Sequence, residues 1–115
     1  MAHQLRPHQR AAAPHLCLDL GDVAYVIEHG PRIDASALPA ERSTAHQVDL
    51  ARAFSYVASD EQALAYLLDA EQAAPQLVRH SAAVRDTVKS LHRRARGNAG
   101  RDSVILGLAE RCRAI

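Results

Sequence analysis

The chain is poor in aromatic residues and has no long apolar run. Its 115 residues include no Trp, one Phe and three Tyr, although 48% of them are hydrophobic. A core built mainly from Ala, Leu and Val is typical of closely packed helices, whereas β-sandwiches favour β-branched and aromatic residues. No apolar segment approaches the roughly 18 residues that a membrane-spanning helix needs, so no membrane association is expected.

Cysteine is scarce, and the start of the chain has no signal-peptide character. The sequence MAHQLRPHQR lacks a hydrophobic core, and the two cysteines, Cys17 and Cys112, lie far apart in the chain. Without a signal-peptide core, export is not expected, and a cytoplasmic location is predicted. In that compartment two distant cysteines are usually free thiols. The length fits one domain. We expect residues 1–13 to be frayed or disordered and residues 14–115 to form a helical domain.

The small net charge of +1 hides an uneven distribution. Residues 1–78 contain five Arg and ten acidic residues, whereas residues 79–115 contain nine Lys or Arg and three acidic residues. Such a division predicts either pairing within the chain or a basic segment that meets an acidic partner. A solvated basic helix explains the same pattern.

Periodicity and helix-terminal residues predict an all-α fold of five to six helices. A first helix ends near the Gly21-Asp22 turn, and a short second helix containing VAYVI stops at Gly30-Pro31; a strand is the alternative for VAYVI, since β-branched residues dominate it. Three longer helices are predicted over 39–58, 60–74 and 81–96, with Ser81 as an N-cap. A brief link follows Pro75, and a last helix covers about 102–113.

The helices over 39–58 and 60–74 match the pattern of one tetratricopeptide unit. If Pro75 is the terminal proline of a 34-residue unit, the small and large positions of that pattern coincide with residues of the expected size. Gln47 stands where Trp is usual, and Ala51 where Gly is usual. The predicted repeat core is Leu50, Phe54, Ala63, Leu67, Ala70 and Pro75. The sequence therefore predicts antiparallel helix pairs in a tetratricopeptide-like α-solenoid fragment.

A longer stretch carries a family resemblance. The segments ALPAER, VDLARAFSYVASDEQALAYLLDAEQAAPQLVRHSAAVRDTVKSLHRRAR and LGLAERC resemble the C-terminal tetratricopeptide-like region of actinobacterial XRE-type transcriptional regulators. The resemblance covers about residues 16–113 and is strongest over 38–96. It implies a regulatory role for a partner- or ligand-sensing helical array. Residues 1–15 are too short for the helix-turn-helix of that family, so direct, sequence-specific DNA binding is not expected.

The sequence contains no catalytic, metal-binding or cofactor-binding motif. Asp69 and Glu71 are separated by about 200° on a helix and cannot cooperate as an acid/base pair. The seven histidines show no metal-ligand spacing, and the loop GNAGRD lacks the Lys-Ser/Thr of a phosphate-binding loop. A non-enzymatic protein without a cofactor or metal is predicted. We expect Glu71 to pair with Arg52, Arg79 or Arg85, Asp60 to cap its helix, and His46 to be a buried, hydrogen-bonded side chain.

Two surfaces are candidates for binding a partner. The first helix of each tetratricopeptide pair lines the concave face, so helix 39–58 is expected to present Val48, Arg52, Ser55 and Tyr56, with Arg52 able to hold a carboxylate of a peptide or protein partner. The second surface is the basic helix, with Arg85, Lys89, Arg93 and Arg96 as possible contacts for phosphate or an acidic partner. A nucleic-acid-associated regulatory protein is thus the alternative to a peptide-binding or dimerising module. An incomplete array leaves apolar helix faces open, so Leu16, Leu20 or the last helix is expected to bind a partner.

Overall fold

The computed structural model describes residues 22–95 and 99–114, which form helices joined by short turns. The helices are Val23–His29 (α1), Ala40–Tyr56 (α2), Asp60–Ala73 (α3), Pro75–Arg79 (α4), Ala82–Arg94 (α5) and Ala99–Arg111 (α6), and short 3-10 turns occupy Gly30–Arg32 and Ala35–Ala37. No strand occurs in these two ranges. The segment VAYVI belongs to α1, so the helix rather than the strand is confirmed. The expectations for residues 1–13, the first helix, Cys17, Leu16, Leu20 and Arg96 lie outside the described residues.

Local side-chain chemistry explains where the helices begin. Asp22 Oδ1 accepts a hydrogen bond from the backbone N–H of Tyr25 at 3.3 Å, and Ser81 Oγ accepts one from Val84 at 3.3 Å. Both bonds satisfy a backbone donor that has no partner within the helix. The N-cap predicted at Ser81 is thereby confirmed. Pro39 was predicted to be the first residue of α2, but it is the N-cap residue, and the helix begins one position later at Ala40.

The segment after α3 was predicted to be a brief link, but it forms a short helix. Pro75 opens the short helix α4, where the fixed φ of proline and its missing N–H are both tolerated. Pro75 is exposed, so its predicted place in the repeat core is wrong. The last helix also begins earlier than predicted, at Ala99 rather than near residue 102.

The four longer helices, α2, α3, α5 and α6, pack against one another around the main core. The turn 57–59 joins α2 to α3, which lie against each other, while α5 packs on both α2 and α6. The core between them is made of alanine and branched aliphatic side chains, as the composition predicts. Five of the six predicted core positions are buried: Leu50, Phe54, Ala63, Leu67 and Ala70. Ala51, Ala63 and Ala70 are fully buried, and their small side chains allow close approach of the helix backbones.

A second, smaller contact joins α1 to α2. His46 is buried, and its Nε2 atom lies 3.0 Å from the carbonyl oxygen of Gly30. A Cβ atom on residue 30 would collide with the side chain of Leu50, so glycine is required by the close packing of the turn on α2. The buried, hydrogen-bonded environment predicted for His46 is confirmed. None of the described helices is both long and apolar enough to cross a bilayer.

Candidate functional site

A cleft of about 320 Å³ lies between α2 and α5. The wall from α2 consists of Arg52, Ser55 and Tyr56, and the wall from α5 consists of Ala83, Asp86, Thr87 and Ser90. On α5 these residues recur at three- and four-residue intervals, which places them along one side of the helix. The cleft is therefore built from one side of each of two packed helices.

Three of the four predicted concave-face residues line this cleft, but the fourth does not. Arg52, Ser55 and Tyr56 are in the wall, and Tyr56 is 60% exposed. Val48 is only 8% exposed and belongs to the main core. Its predicted outward orientation is wrong, because Val48 belongs to the same buried core as the apolar side chains of α5. Ser55 is also buried, at 6% exposure, at the base of the cleft.

Arg94, at the end of α5, ties the cleft to the start of α3. Its Nε donates to Asp60 Oδ1 at 3.0 Å and to Oδ2 at 3.1 Å, and its NH2 donates to Ser55 Oγ at 2.9 Å and to the Ser55 carbonyl at 3.1 Å. Asp60 was expected to cap α3, but its carboxylate instead holds this guanidinium. The pairing joins residues 34 positions apart, which is why helix-terminal rules alone did not reveal it. We call Arg94, Asp60 and Ser55 the Arg94 clasp.

The hydroxyl groups of the cleft have distinct hydrogen-bond states. Thr87 Oγ1 donates to the carbonyl of Ala83 at 2.9 Å, the usual bond of a hydroxyl within a helix. Ser90 Oγ accepts from Arg93 NH2 at 3.0 Å, and Ser55 Oγ accepts from Arg94. Each serine thus receives an arginine N–H, which occupies a lone pair and leaves the hydroxyl hydrogen available.

Charges of both signs surround the cleft. Arg52 NH1 lies 3.3 Å from Asp49 Oδ1, an ion pair between residues three apart on α2. Asp86 is exposed on the opposite wall. Arg93 is exposed about two turns beyond Asp86 and has no carboxylate partner among the described residues. The lining is therefore polar, with an exposed aromatic ring at its edge.

Only some residues of the predicted basic surface are exposed together on α5. Lys89 and Arg93 are exposed on α5, whereas Arg85 is half-buried. His92 on the same helix lies 3.2 Å from the carboxylate of Asp102 on α6. The described part of the basic surface is thus short, and Arg96 lies outside the described residues.

Glu71 is the centre of a second ionic cluster, remote from the cleft. Its Oε2 accepts from Arg79 Nε at 3.2 Å and from Arg111 Nε at 2.8 Å, while Oε1 accepts from Arg111 NH2 at 2.9 Å. The hydrogen bonds from Arg111 hold the pKa of the Glu71 carboxyl below its ordinary value, although burial opposes that shift. Arg79 was among the predicted partners, whereas Arg111 was not. We call these three residues the Glu71 cluster.

Neither cysteine chemistry nor metal binding is indicated in the described ranges. Cys112 is a buried free thiol, and burial raises its pKa, which disfavours the reactive thiolate. No group of three or more His, Cys, Asp or Glu side chains in residues 22–95 and 99–114 is arranged to hold a metal ion. The cleft between α2 and α5 is accordingly a candidate site within these ranges.

The residues that sequence analysis missed are those of the α5 wall: Ala83, Asp86, Thr87 and Ser90, together with Arg94. Their small or polar side chains at three- and four-residue spacing carry a weak signal, because that pattern is also typical of a solvated helix face. Comparison with protein-family models, with curated proteins and with solved structures gave no match. The resemblance to helix-turn-helix regulators therefore stays a prediction from the sequence.

Proposed function

We propose that the chain is a non-enzymatic helical-repeat module that binds an extended peptide segment of a partner protein in the α2–α5 cleft. The observation that carries this proposal is the cleft itself, where Arg52 and the exposed ring of Tyr56 lie beside the polar wall of α5. An arginine next to an exposed aromatic ring is a frequent combination at protein interfaces. A cleft of about 320 Å³ accommodates a few peptide residues.

The packing of the helices supports a tetratricopeptide-like interpretation. In such arrays the first helices of successive pairs lie side by side and line the concave surface. If α2–α3 and α5–α6 are successive pairs, α2 and α5 are those first helices, and the cleft occupies the place where such arrays receive peptides. Together with the family resemblance, this placement leads us to propose a sensor or interaction role in a transcriptional-regulator-like protein.

Association with nucleic acid through α5 is the second candidate. The exposed side chains of Lys89 and Arg93 favour it, because cations on one helix side can contact successive phosphates. Its support is narrower, since Arg94 is occupied by Asp60 and Ser55. A homodimer is a further form of partner binding, for which exposed Val104 and Leu106 on α6 are candidate contacts.

Selection from a displayed library of random peptides tests the proposal. The wild-type chain should enrich a peptide motif, and the double variant R52E/Y56A should lose that enrichment while keeping its helical circular dichroism. The variant K89Q changes an exposed charge on α5 outside the cleft and serves as the matched control. If wild type and R52E/Y56A enrich the same motif, the cleft is not the binding site.

The nucleic-acid candidate needs a separate measurement. A gel shift with duplex DNA and single-stranded RNA compares wild type with K89E/R93E. Retention by wild type that disappears in the variant would favour the basic surface of α5. Retention that is unchanged, or absent in both proteins, would exclude that surface.

A further inference from the structure

We infer that the cleft recognises a carboxylate group of its peptide ligand through the hydroxyl groups of Ser55 and Ser90, with Arg52 beside them. The inference rests on the proposed peptide-binding function and names the chemical group that this site selects. The donors and acceptors on the two walls support it.

The two serines face the same cleft from opposite helices, and both have a spare donor. A hydroxyl carries one hydrogen and two lone pairs. Arg94 NH2 donates to Ser55 Oγ at 2.9 Å, and Arg93 NH2 donates to Ser90 Oγ at 3.0 Å. Within residues 22–95 and 99–114, neither hydroxyl donates to an acceptor, in contrast to Thr87, which donates to the Ala83 carbonyl.

The arginines also strengthen these donors. A hydrogen bond accepted from a cation polarises the hydroxyl, and hydrogen bonds in such a chain reinforce one another. Ser55 is 6% exposed, so its O–H is largely shielded from water, and a buried donor without an acceptor is unfavourable. Arg93 and Arg94 therefore act as positioning residues that direct the serine donors into the cleft.

The lining is richer in donors than in acceptors. The guanidinium of Arg52 lies in the α2 wall and donates from NH1 to Asp49 Oδ1. The phenol of Tyr56 adds another donor at the edge, and Asp86 is the only carboxylate among the lining residues. A carboxylate accepts several hydrogen bonds at once and is the peptide group that best matches this arrangement. Asp86 then favours an amide N–H or a cationic side chain next to it in the ligand.

The carboxylate has two possible sources, the C-terminus of a peptide and an Asp or Glu side chain. Four pools of acetylated random heptapeptides distinguish them. The first pool contains acidic residues and has a free C-terminus, and the second contains acidic residues and has an amidated C-terminus. The third and fourth pools contain Asn and Gln instead of Asp and Glu, with a free C-terminus in the third and an amidated C-terminus in the fourth. Each pool is titrated into the full ¹⁵N-labelled chain, and amide chemical shifts of α2 and α5 are followed.

We expect the first pool to shift the amides around Ser55 and Ser90 and the fourth pool to leave them unchanged. Shifts with the second pool identify a side-chain carboxylate, and shifts with the third identify the C-terminus. Equal shifts with the first and fourth pools overturn the carboxylate inference but leave peptide binding intact. If no pool shifts these amides, both the inference and the proposed function fail.

Variants test the role of the serine donors directly. Ser90→Ala should weaken binding of the first pool roughly tenfold, as expected for a lost hydrogen bond to a charged group. Ser103→Ala, an exposed serine on α6, is the matched control and should bind like wild type. Arg93→Gln should weaken binding more than Lys89→Gln, although both remove one positive charge from α5. Equal affinity of Ser90→Ala and Ser103→Ala would overturn the inference.

Discussion

Both ends of α3 carry a carboxylate that binds arginine, but the two ion pairs connect different parts of the molecule. At the first residue, Asp60 binds Arg94 of α5, and the same guanidinium reaches Ser55 in the cleft. Near the last turn, Glu71 binds Arg79 of α4 and Arg111 of α6, and no cleft residue takes part. The Glu71 cluster thus joins three helices of the scaffold, whereas the Arg94 clasp joins the scaffold to the candidate site. Similar chemistry thus joins scaffold helices at one end and shapes a candidate binding surface at the other.

Removing Glu71 should produce the larger loss of stability. Glu71→Ala removes the hydrogen bonds that the carboxylate accepts from Arg79 and Arg111, both of which are partly exposed. We expect a drop of about 2 kcal/mol in the free energy of unfolding, measured by urea denaturation. Asp69→Ala, an exposed carboxylate on the same helix, should change the value by less than about 0.5 kcal/mol. Equal effects of the two variants would show that the Glu71 cluster contributes no particular stability.

Neutralising Asp60 should cost less stability but should alter the cleft. Asp60→Asn weakens the hold on Arg94 while a neutral acceptor remains, so we expect a loss of about 1–2 kcal/mol in the same urea experiment. Amide shifts around Ser55 and Ser90 should change in Asp60→Asn and not in Glu71→Ala. Glu61→Gln is the control, because Glu61 is the exposed neighbour. Cleft shifts of equal size in the Asp60 and Glu71 variants would remove the distinction between the two ends.

Acid should weaken the Glu71 end in a defined pH range. Arg111 keeps the pKa of the Glu71 carboxyl below its ordinary value of 4.5, so the folded state binds a proton less readily than the unfolded state. Its stabilising contribution is complete above pH 4.5 and is lost as the pH falls through the lower, folded-state pKa. The difference in unfolding free energy between wild type and Glu71→Gln should therefore shrink below pH 4.5. A difference that stays constant down to pH 2 would contradict this assignment.

The smallest effect on stability is expected at the mouth of the cleft. Tyr56 is 60% exposed, so Tyr56→Ala should change the unfolding free energy by less than about 0.5 kcal/mol. The same variant should lose peptide enrichment if the proposed function is correct. Phe54, two residues earlier, is buried, and Phe54→Ala should cost about 3 kcal/mol or more. A large loss of stability in Tyr56→Ala would place this ring in the scaffold instead.

Local patterns predicted most of the helices and part of the site. The spacing of Leu50 and Phe54 identified the buried side of α2, and Ser81 identified the start of α5, because these signals depend on neighbours within a turn or two. The same spacing misplaced Val48, since its burial depends on a core that includes residues of α5, more than thirty positions further along the chain. Arg111 and Arg94 were missed as partners of Glu71 and Asp60 for the same reason. Pairings across 40 and 34 residues follow from tertiary packing and leave no periodic signal.

The Arg94 clasp also bears on the entropy of binding. Because one guanidinium binds both Asp60 and Ser55, we expect the ends of α2 and α5 to keep their spacing without a ligand. A ligand that enters such a site does not have to order its walls, and this saving increases affinity without an added contact. Substitutions at Arg94 should therefore remove the N–H that Ser55 accepts and also let the free protein sample wider and narrower clefts. The loss of affinity would then appear as an entropic penalty in calorimetry, although Arg94 itself need not touch the ligand.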